Sequence, residues 1–298
     1  MAKLAVGQFE KVASGIYLEG LAVDDKRDVV WYSDVIGGGV HGLRPDGGIV
    51  SFNAGRMWTG GVLVNEDGSV LSSGPGGIMW NNSDTGKSGW LLQEIGGKPI
   101  NGINEMIPDG SGGIYFGTSD IEMVERSQPT RPTAIYRLTV RGEVIKLVDG
   151  INFSNGIMLS VDRKQFYCND TFVGTWVFDV QPELTLGNKR MLIDKADADG
   201  MALDAEGNLW ITGFRSSFLT RLRRDGTPLA PVQTPGGAIT QVRFGGPDMR
   251  DYFINTVPAD GGDSLKDGLP LEGRSSVMYR GRSEVPGMVI PPARFKLV

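Results

Sequence analysis

Apolar and polar positions alternate along this chain in short runs, and the runs recur in one order. A polar residue on or beside a glycine opens an apolar run, a turn of D-x-x-G or D-R-K type follows, and a second apolar run closes the unit. The stretch DGMALDAEGNLWIT (199 to 212) shows the plan in full, and SNGIMLSVDRKQFYCND (154 to 170) repeats it with Asn155 in the place of Asp199. Short alternating runs bounded by turn residues predict strands joined in hairpins.

Six segments of this kind begin near Glu19, Thr59, Asn104, Asn155, Asp199 and Thr240, about 40 to 50 residues apart, the length of one four-stranded propeller blade. Outer hairpins follow at VHGLRPDGGIVSFNAG (40 to 55), AIYRLTVRGEVIKLVDG (134 to 150) and LTRLRRDGTPLAPVQT (219 to 234), with the polar alternation of a sheet that shows one face to solvent. The expected fold is all-β, a six-bladed β-propeller of four-stranded antiparallel blades forming a single domain over residues 1–298. Because an oxygen-bearing residue opens the first strand of each unit, a radial fold would bring these side chains to one axis, which predicts a central metal or substrate site. Residues 8 to 14 are expected to pair with the last blade, since closing the ring removes sheet edges. The segment SDIEMVERSQ (119 to 128) is expected to form a helical turn on a loop.

Composition agrees with many short strands. Glycine is 44 of 298 residues and charged residues are 22 percent, which suits tight turns more than long surface helices. A length prior alone suggests about two domains, but the repeats override it. The net charge of −5, with no basic cluster longer than a pair such as Arg223-Arg224, excludes a nucleic-acid partner. The N-terminal MAKLAVGQFEKVASG has no continuous apolar core of a secretory signal, and no stretch approaches the roughly 20 apolar residues of a membrane span. A cytoplasmic protein without a membrane partner is expected. The single cysteine, Cys168, cannot form an internal disulfide and reads as a packed core thiol. The single histidine, His41, lies on an expected outer strand, which leaves no multi-histidine zinc site.

The motifs ADGMALDAEGNLWITGF (198 to 214), FSNGIMLSVDRKQFY (153 to 167) and TQVRFGGPD (240 to 248), in that order and at blade spacing, resemble the family of senescence marker protein (regucalcin), gluconolactonase and luciferin-regenerating enzyme. The likeness covers nearly the whole chain. It implies a six-bladed propeller with one divalent cation in the central channel. Carried over residue by residue, it implies Glu19 of YLEGLAVD as a metal ligand, with Leu21 in place of the usual proline, and Asn155 and Asp199 as the other two. It implies that Asn104 of NGINEMIPDG contacts substrate, followed by Glu105, taken as a second substrate contact, where the family usually has the shorter aspartate. Gly102 stands where sugar-lactonase relatives can carry a substrate-gripping arginine. Glu122 corresponds, by spacing alone, to an acidic substrate contact.

Read without the resemblance, Glu19, Asn104, Asn155 and Asp199 offer only oxygens to a cation, two of them anionic. Such a set favours Ca²⁺, Mg²⁺ or Mn²⁺, with calcium the first choice and zinc retained as an alternative. One Asn or Asp at a strand start ordinarily caps a turn; four at corresponding positions argue for a shared site. Asp199 is placed both as ligand and as general base for a water attacking a carbonyl. Met57, Trp58, Met79 and Trp80 are expected first of all to pack between blades, with a place on the channel mouth as the competing reading, and Trp58 is taken as a substrate contact. With Phe153 and Phe214 they would make an apolar pocket over a polar floor. The expected activity is metal-dependent hydrolysis of a lactone or related cyclic ester, on a small substrate more apolar than a sugar lactone. Arylester or phosphotriester hydrolysis, isomerisation, or metal-stabilised binding without turnover remain as alternatives.

Overall fold

The turn residues close antiparallel hairpins, and the hairpins join into radial sheets. A computed structural model describes residues 4–126, 128–129, 131–266, 273 and 275–298, and its architecture is an all-β propeller. Four separate four-stranded sheets follow one another, each built of strands in chain order. Their first two strands are Leu18–Asp24 and Val29–Asp34, Val62–Val64 and Val70–Gly74, Ile103–Pro108 and Ile114–Thr118, and Ser154–Leu159 and Gln165–Asp170. Six separate blades were expected, and here the structure differs. Apart from the small two-stranded pair Glu94–Ile95 with Lys98–Pro99, the remaining strands make one eight-stranded sheet, because Ala198–Leu203, Leu209–Gly213 and their two outer strands are joined to Ala238–Gly245 and its neighbours through the single pair Gly213 with Ile239.

Chain closure follows the expectation. Phe9–Gly15 pairs antiparallel with Ser276–Arg282, at the outer edge of the last strand set. Two short helices lie among the described residues, Ile121–Glu125 inside the expected helical turn and Gly261–Lys266, which the sequence pattern did not indicate. No helix among the described residues is long and apolar enough to cross a membrane. Large aromatics fill the space between sheets, as where Tyr115 and Phe178 meet Phe166 edge-on, an arrangement that adds about 0.5–1.5 kcal/mol per pair beyond the buried area. Cys168 sits fully buried in this core. His41 lies on the strand Val40–Leu43 and shares a hydrogen bond with Ser51.

Successive innermost strands pack against one another, and Leu18–Asp24 packs against Ala238–Gly245, so they ring a central channel. Five of them carry the same defect. Their pairing register breaks at Leu18/Leu21, Ile103/Met106, Ser154/Ile157, Ala198/Met201 and Ile239/Gln241, and a bulge of this kind re-aims side chains. Glu19, Asn104, Asn155, Asp199 and Thr240 occupy these breaks.

Each bulge frees backbone carbonyls that buried surroundings oblige the fold to satisfy. At four of the five breaks the second strand of the preceding set supplies the donor. Asn255 donates to the Glu19 carbonyl at 2.6 Å, Ser73 to Asn104 at 2.8 Å, Asn169 to Asp199 at 2.6 Å and Thr212 to Thr240 at 3.0 Å. The contact is close enough to dictate the following residue. A Cβ on Gly20 would run into the Gly60 carbonyl oxygen, and one on Gly156 into the backbone of Asp199, Gly200 and Met201.

Gly156→Ala is therefore expected to cost about 1–3 kcal/mol, since the atoms it meets are backbone and cannot turn aside. Gly55→Ala, whose Cβ would meet nothing within 4 Å, should stay within about 1 kcal/mol of the parent, on the stabilising side. Urea denaturation of both variants checks the contrast; equal stability would show that the inner strands can move apart freely.

Candidate functional site

The loops that enter the innermost strands are fixed before the site residues appear. Asp34, at the end of a second strand, accepts the backbone N–H groups of Ile16 at 2.8 Å and Tyr17 at 3.0 Å, just ahead of Glu19. Asp170 does the same for Asn152 at 2.8 Å and Phe153 at 3.1 Å, just ahead of Asn155. Sequence reasoning missed both anchors, although an aspartate closing the second strand of a repeat unit was there to be read.

Glu19, Asn104, Asn155 and Asp199 all line one cavity of about 550 Å³ at one end of the channel. Their amides are held in order. Asn104 Nδ2 donates to Asn155 Oδ1 at 3.0 Å, Asn155 Nδ2 donates to Thr171 Oγ1 at 3.2 Å, and Thr171 Oγ1 donates to the Ala198 carbonyl at 2.7 Å. Thr171 thus fixes which face of the Asn155 amide carries its oxygen, a role no sequence motif announced.

The two carboxylates are not satisfied. Glu19 Oε2 and Asp199 Oδ1 are buried and have no hydrogen-bond partner among the described residues, a state that costs several kcal/mol for an anionic oxygen. Burial pushes the Glu19 carboxyl up to about 8, with the negative charge of Glu105 adding to the effect. Asp199 is raised as well, first by burial, then by Glu19, Glu105 and Asp197. Among the described residues no three His, Cys, Asp or Glu side chains share a metal-holding position, so a cation here would rest on two carboxylates and amide oxygen. That donor set fits a hard divalent ion, which would answer both orphaned oxygens at once.

The walls are apolar. Trp58, Phe153, Phe172 and Phe214 line the cavity, and no Lys, Arg or His is among its described lining residues. Trp58 and Phe172 hold left-handed backbone, with φ of 57° and 77°, at a cost of about 1–3 kcal/mol each. Phe172 had no sequence signal.

Other expected positions fall elsewhere. Glu105 does not line the cavity; its carboxylate turns away to Gln241 and Arg243. Glu122 is paired with Arg126 on the surface of its short helix and also lies outside the lining. Met57 is exposed, Met79 half-buried and Trp80 packed in the core, none of them on the cavity. Gly102 is likewise outside it, and a side chain there would collide with Ile121 and the Ser119 carbonyl.

The raised carboxyls set a pH dependence in the metal-free protein. The unfolded chain ionises Glu19 near 4.5 while the folded chain holds its proton up to about 8, so the unfolded state binds fewer protons between those values and stability falls as pH rises. Asp120 beside Arg131 and Asp162 beside Ser160 are depressed instead; their contribution is lost only at lower pH. After exhaustive chelation the melting temperature should drop between about pH 5 and pH 8, less steeply in Glu19→Gln, and a saturating divalent cation should remove the drop. Identical slopes in parent and variant would disprove the buried-carboxyl account.

The family model described as SMP-30/Gluconolactonase/LRE-like region matches residues 18–258. Pentonolactonase XacC of Haloferax volcanii is 25% identical over 253 residues, 82% of each chain. Regucalcin of Danio rerio is 30% identical over 174 residues, 56% of this chain and 58% of that one. In fold, the chain is similar to a solved calcium-binding protein, regucalcin, from Agrobacterium tumefaciens strain C58, with a TM-score of 0.80 at 21% identity over 97% of both chains. Motif order, the repeated bulge and the family match over residues 18–258 agree, and the chain belongs to the SMP-30/gluconolactonase/LRE-like family.

Proposed function

We propose that this protein is a divalent-cation-dependent lactonase acting on a lactone more apolar than a sugar lactone. The observation that carries the reading is a pair of buried, unpartnered carboxylate oxygens on the floor of an apolar cavity with no basic side chain among its described lining. The relatives named pentonolactonase and regucalcin support the reaction class and the cation. Counting the eight-stranded sheet as two blades joined by one residue pair gives six blades around the channel in one domain over residues 1–298.

Glu19, Asn155 and Asp199 would hold the ion, with calcium first on donor hardness and Mg²⁺, Mn²⁺ and Zn²⁺ as alternatives. When bound, a divalent cation supplies Lewis-acid stabilisation of the charge that develops on a carbonyl oxygen. Asp199 keeps Oδ1 free of protein donors and serves as the base that takes a proton from water. Asn104 donates to Asn155 at 3.0 Å and more weakly to the Ser154 carbonyl at 3.4 Å, and the weaker bond is the one it can exchange for a substrate oxygen. Trp58, Phe153 and Phe214 exclude water and bury the hydrocarbon part of the substrate. Gly102 supplies no basic side chain to the site, which disfavours a strongly polar sugar acid.

Chelation should abolish lactone hydrolysis, and Ca²⁺, Mn²⁺ or Mg²⁺ should restore it, in pH-stat assays that compare sugar, aliphatic and aromatic lactones. An apolar lactone should exceed gluconolactone in kcat/KM by roughly tenfold or more per well-buried apolar group. Full activity without metal, or gluconolactone as the best substrate, refutes the corresponding half of the proposal.

Asp199→Asn keeps an oxygen and the shape of the site while removing basicity, so turnover should fall at least about 100-fold with metal saturating. Glu19→Gln removes the same charge without touching the base. Equal losses in both variants would assign the effect to the cation shell and strip Asp199 of the base role.

A further inference from the structure

Beneath the floor of the site, a second polar cluster spans the channel. Glu105 comes from the innermost strand Ile103–Pro108, and Gln241 and Arg243 come from Ala238–Gly245. Counted along the ring of packed inner strands, these two are three steps apart in either direction, so the cluster bridges opposite walls. Glu105 Oε2 accepts Gln241 Nε2 at 2.6 Å and Arg243 Nη2 at 3.3 Å, while Oε1 accepts the Met106 N–H at 3.0 Å. Arg243 Nη1 is held by the Met201 carbonyl at 2.6 Å and by Gln241 Oε1 at 2.8 Å. The three side chains are only 2, 3 and 2% exposed in the order Glu105, Gln241, Arg243. The cluster touches the site, because Gln241 Oε1 occupies the space a Cβ of Gly200 would need, directly after Asp199. On its far side Arg243 lines a smaller cavity at the other end of the channel.

We propose that the Glu105–Gln241–Arg243 strut sets the charge of the cation site, with Arg243 cancelling Glu105 so that the site's net charge matches one divalent ion. Four ionisable groups are buried here: Glu19, Asp199, Glu105 and Arg243. The Glu105–Arg243 pair sums to zero whichever partner holds the shared proton, and Glu19 with Asp199, deprotonated as ligands, then contributes −2. Without Arg243 the buried sum would be −3, a match for a trivalent ion; without Glu105 it would be −1. The strut also keeps Glu105 from entering the donor set, since both its oxygens already accept protein hydrogen bonds. Glu105 and Arg243 are positioning residues on this account, not ligands. The inference rests on the cation-binding part of the proposed function.

The test uses the full chain without substrate and titrates Ca²⁺ and Tb³⁺ by calorimetry and by Trp-sensitised terbium emission. Glu105→Gln is nearly isosteric. It should weaken Ca²⁺ by about tenfold or more, as removal of one buried charge near the ion demands, and should weaken Tb³⁺ further, since Coulomb energy scales with ionic charge. Arg243→Met should shift the ratio of Tb³⁺ to Ca²⁺ affinity in the opposite direction by a similar factor. The double variant Glu105→Gln/Arg243→Met restores the sum of −2 and should bring the ratio back to within about threefold of the parent. If Arg243→Met fails to fold, Glu105→Gln and the double variant decide alone, because a purely structural strut would leave the ratio fixed in one and unrecovered in the other. An unchanged ratio in Glu105→Gln overturns the inference. A parent protein that binds neither ion overturns instead the cation reading on which it stands.

Discussion

The rest of the molecule depends on a register break repeated in the innermost strands. A regular strand would send alternate side chains to the two faces of each sheet, into the packing between blades and never along the channel. The break at Leu18/Leu21, Ser154/Ile157 and Ala198/Met201 inserts the extra residues that turn Glu19, Asn155 and Asp199 toward the axis. A break is unstable alone, because it leaves carbonyls unpaired in a dry interior. Asn255 repairs it at Glu19 and Asn169 at Asp199, each from the neighbouring strand set, and Asn155 is held through its side chain by Asn104. Each site residue is therefore held by a different part of the chain from the one that carries it, and the floor becomes rigid only when the ring closes.

That rigidity explains how the site can keep two carboxylate oxygens buried and unpartnered. A flexible loop would relax until water or a backbone N–H reached them. Here the backbone on both sides is committed, to Asp34 before Glu19 and to Asn169 at Asp199, so the strain stays electrostatic and local. It appears as raised carboxyls, the state in which a pair of anions most favours a bound cation. The same logic reaches one layer deeper, where Glu105 adds its own negative charge and Arg243 answers it.

The all-β class, the closing strand and the positions of Glu19, Asn104, Asn155 and Asp199 around one cavity were legible because each depends on local pattern: turn residues, alternation, and a polar side chain on glycine. Where the sequence reading departed from the structure, the cause is a contact between distant segments. Glu105 reads as a substrate contact by adjacency to Asn104, but its partners lie 136 and 138 residues away. Thr171 and Phe172 follow the strand Gln165–Asp170 in an ordinary turn, and only the closed ring shows that one orients an amide and the other faces the cavity. The joining of two strand sets into one sheet turns on a single pair, Gly213 with Ile239, which no periodicity encodes.

The character of the cavity also bears on how a reaction there would turn over. On the proposed reading a neutral ester enters and a hydroxy acid leaves. The described walls favour the first through Trp58, Phe153, Phe172 and Phe214, whose burial of hydrocarbon is worth about 25 cal/mol per Å². They offer the second no basic side chain, and the floor beneath it carries Glu19 and Asp199. The opening of the ring therefore converts a molecule that the walls hold into an anion for which the apolar walls offer no partner. An arginine beside the floor would grip the product as firmly as any acidic substrate. Its absence trades recognition of charge for discrimination by charge between substrate and product.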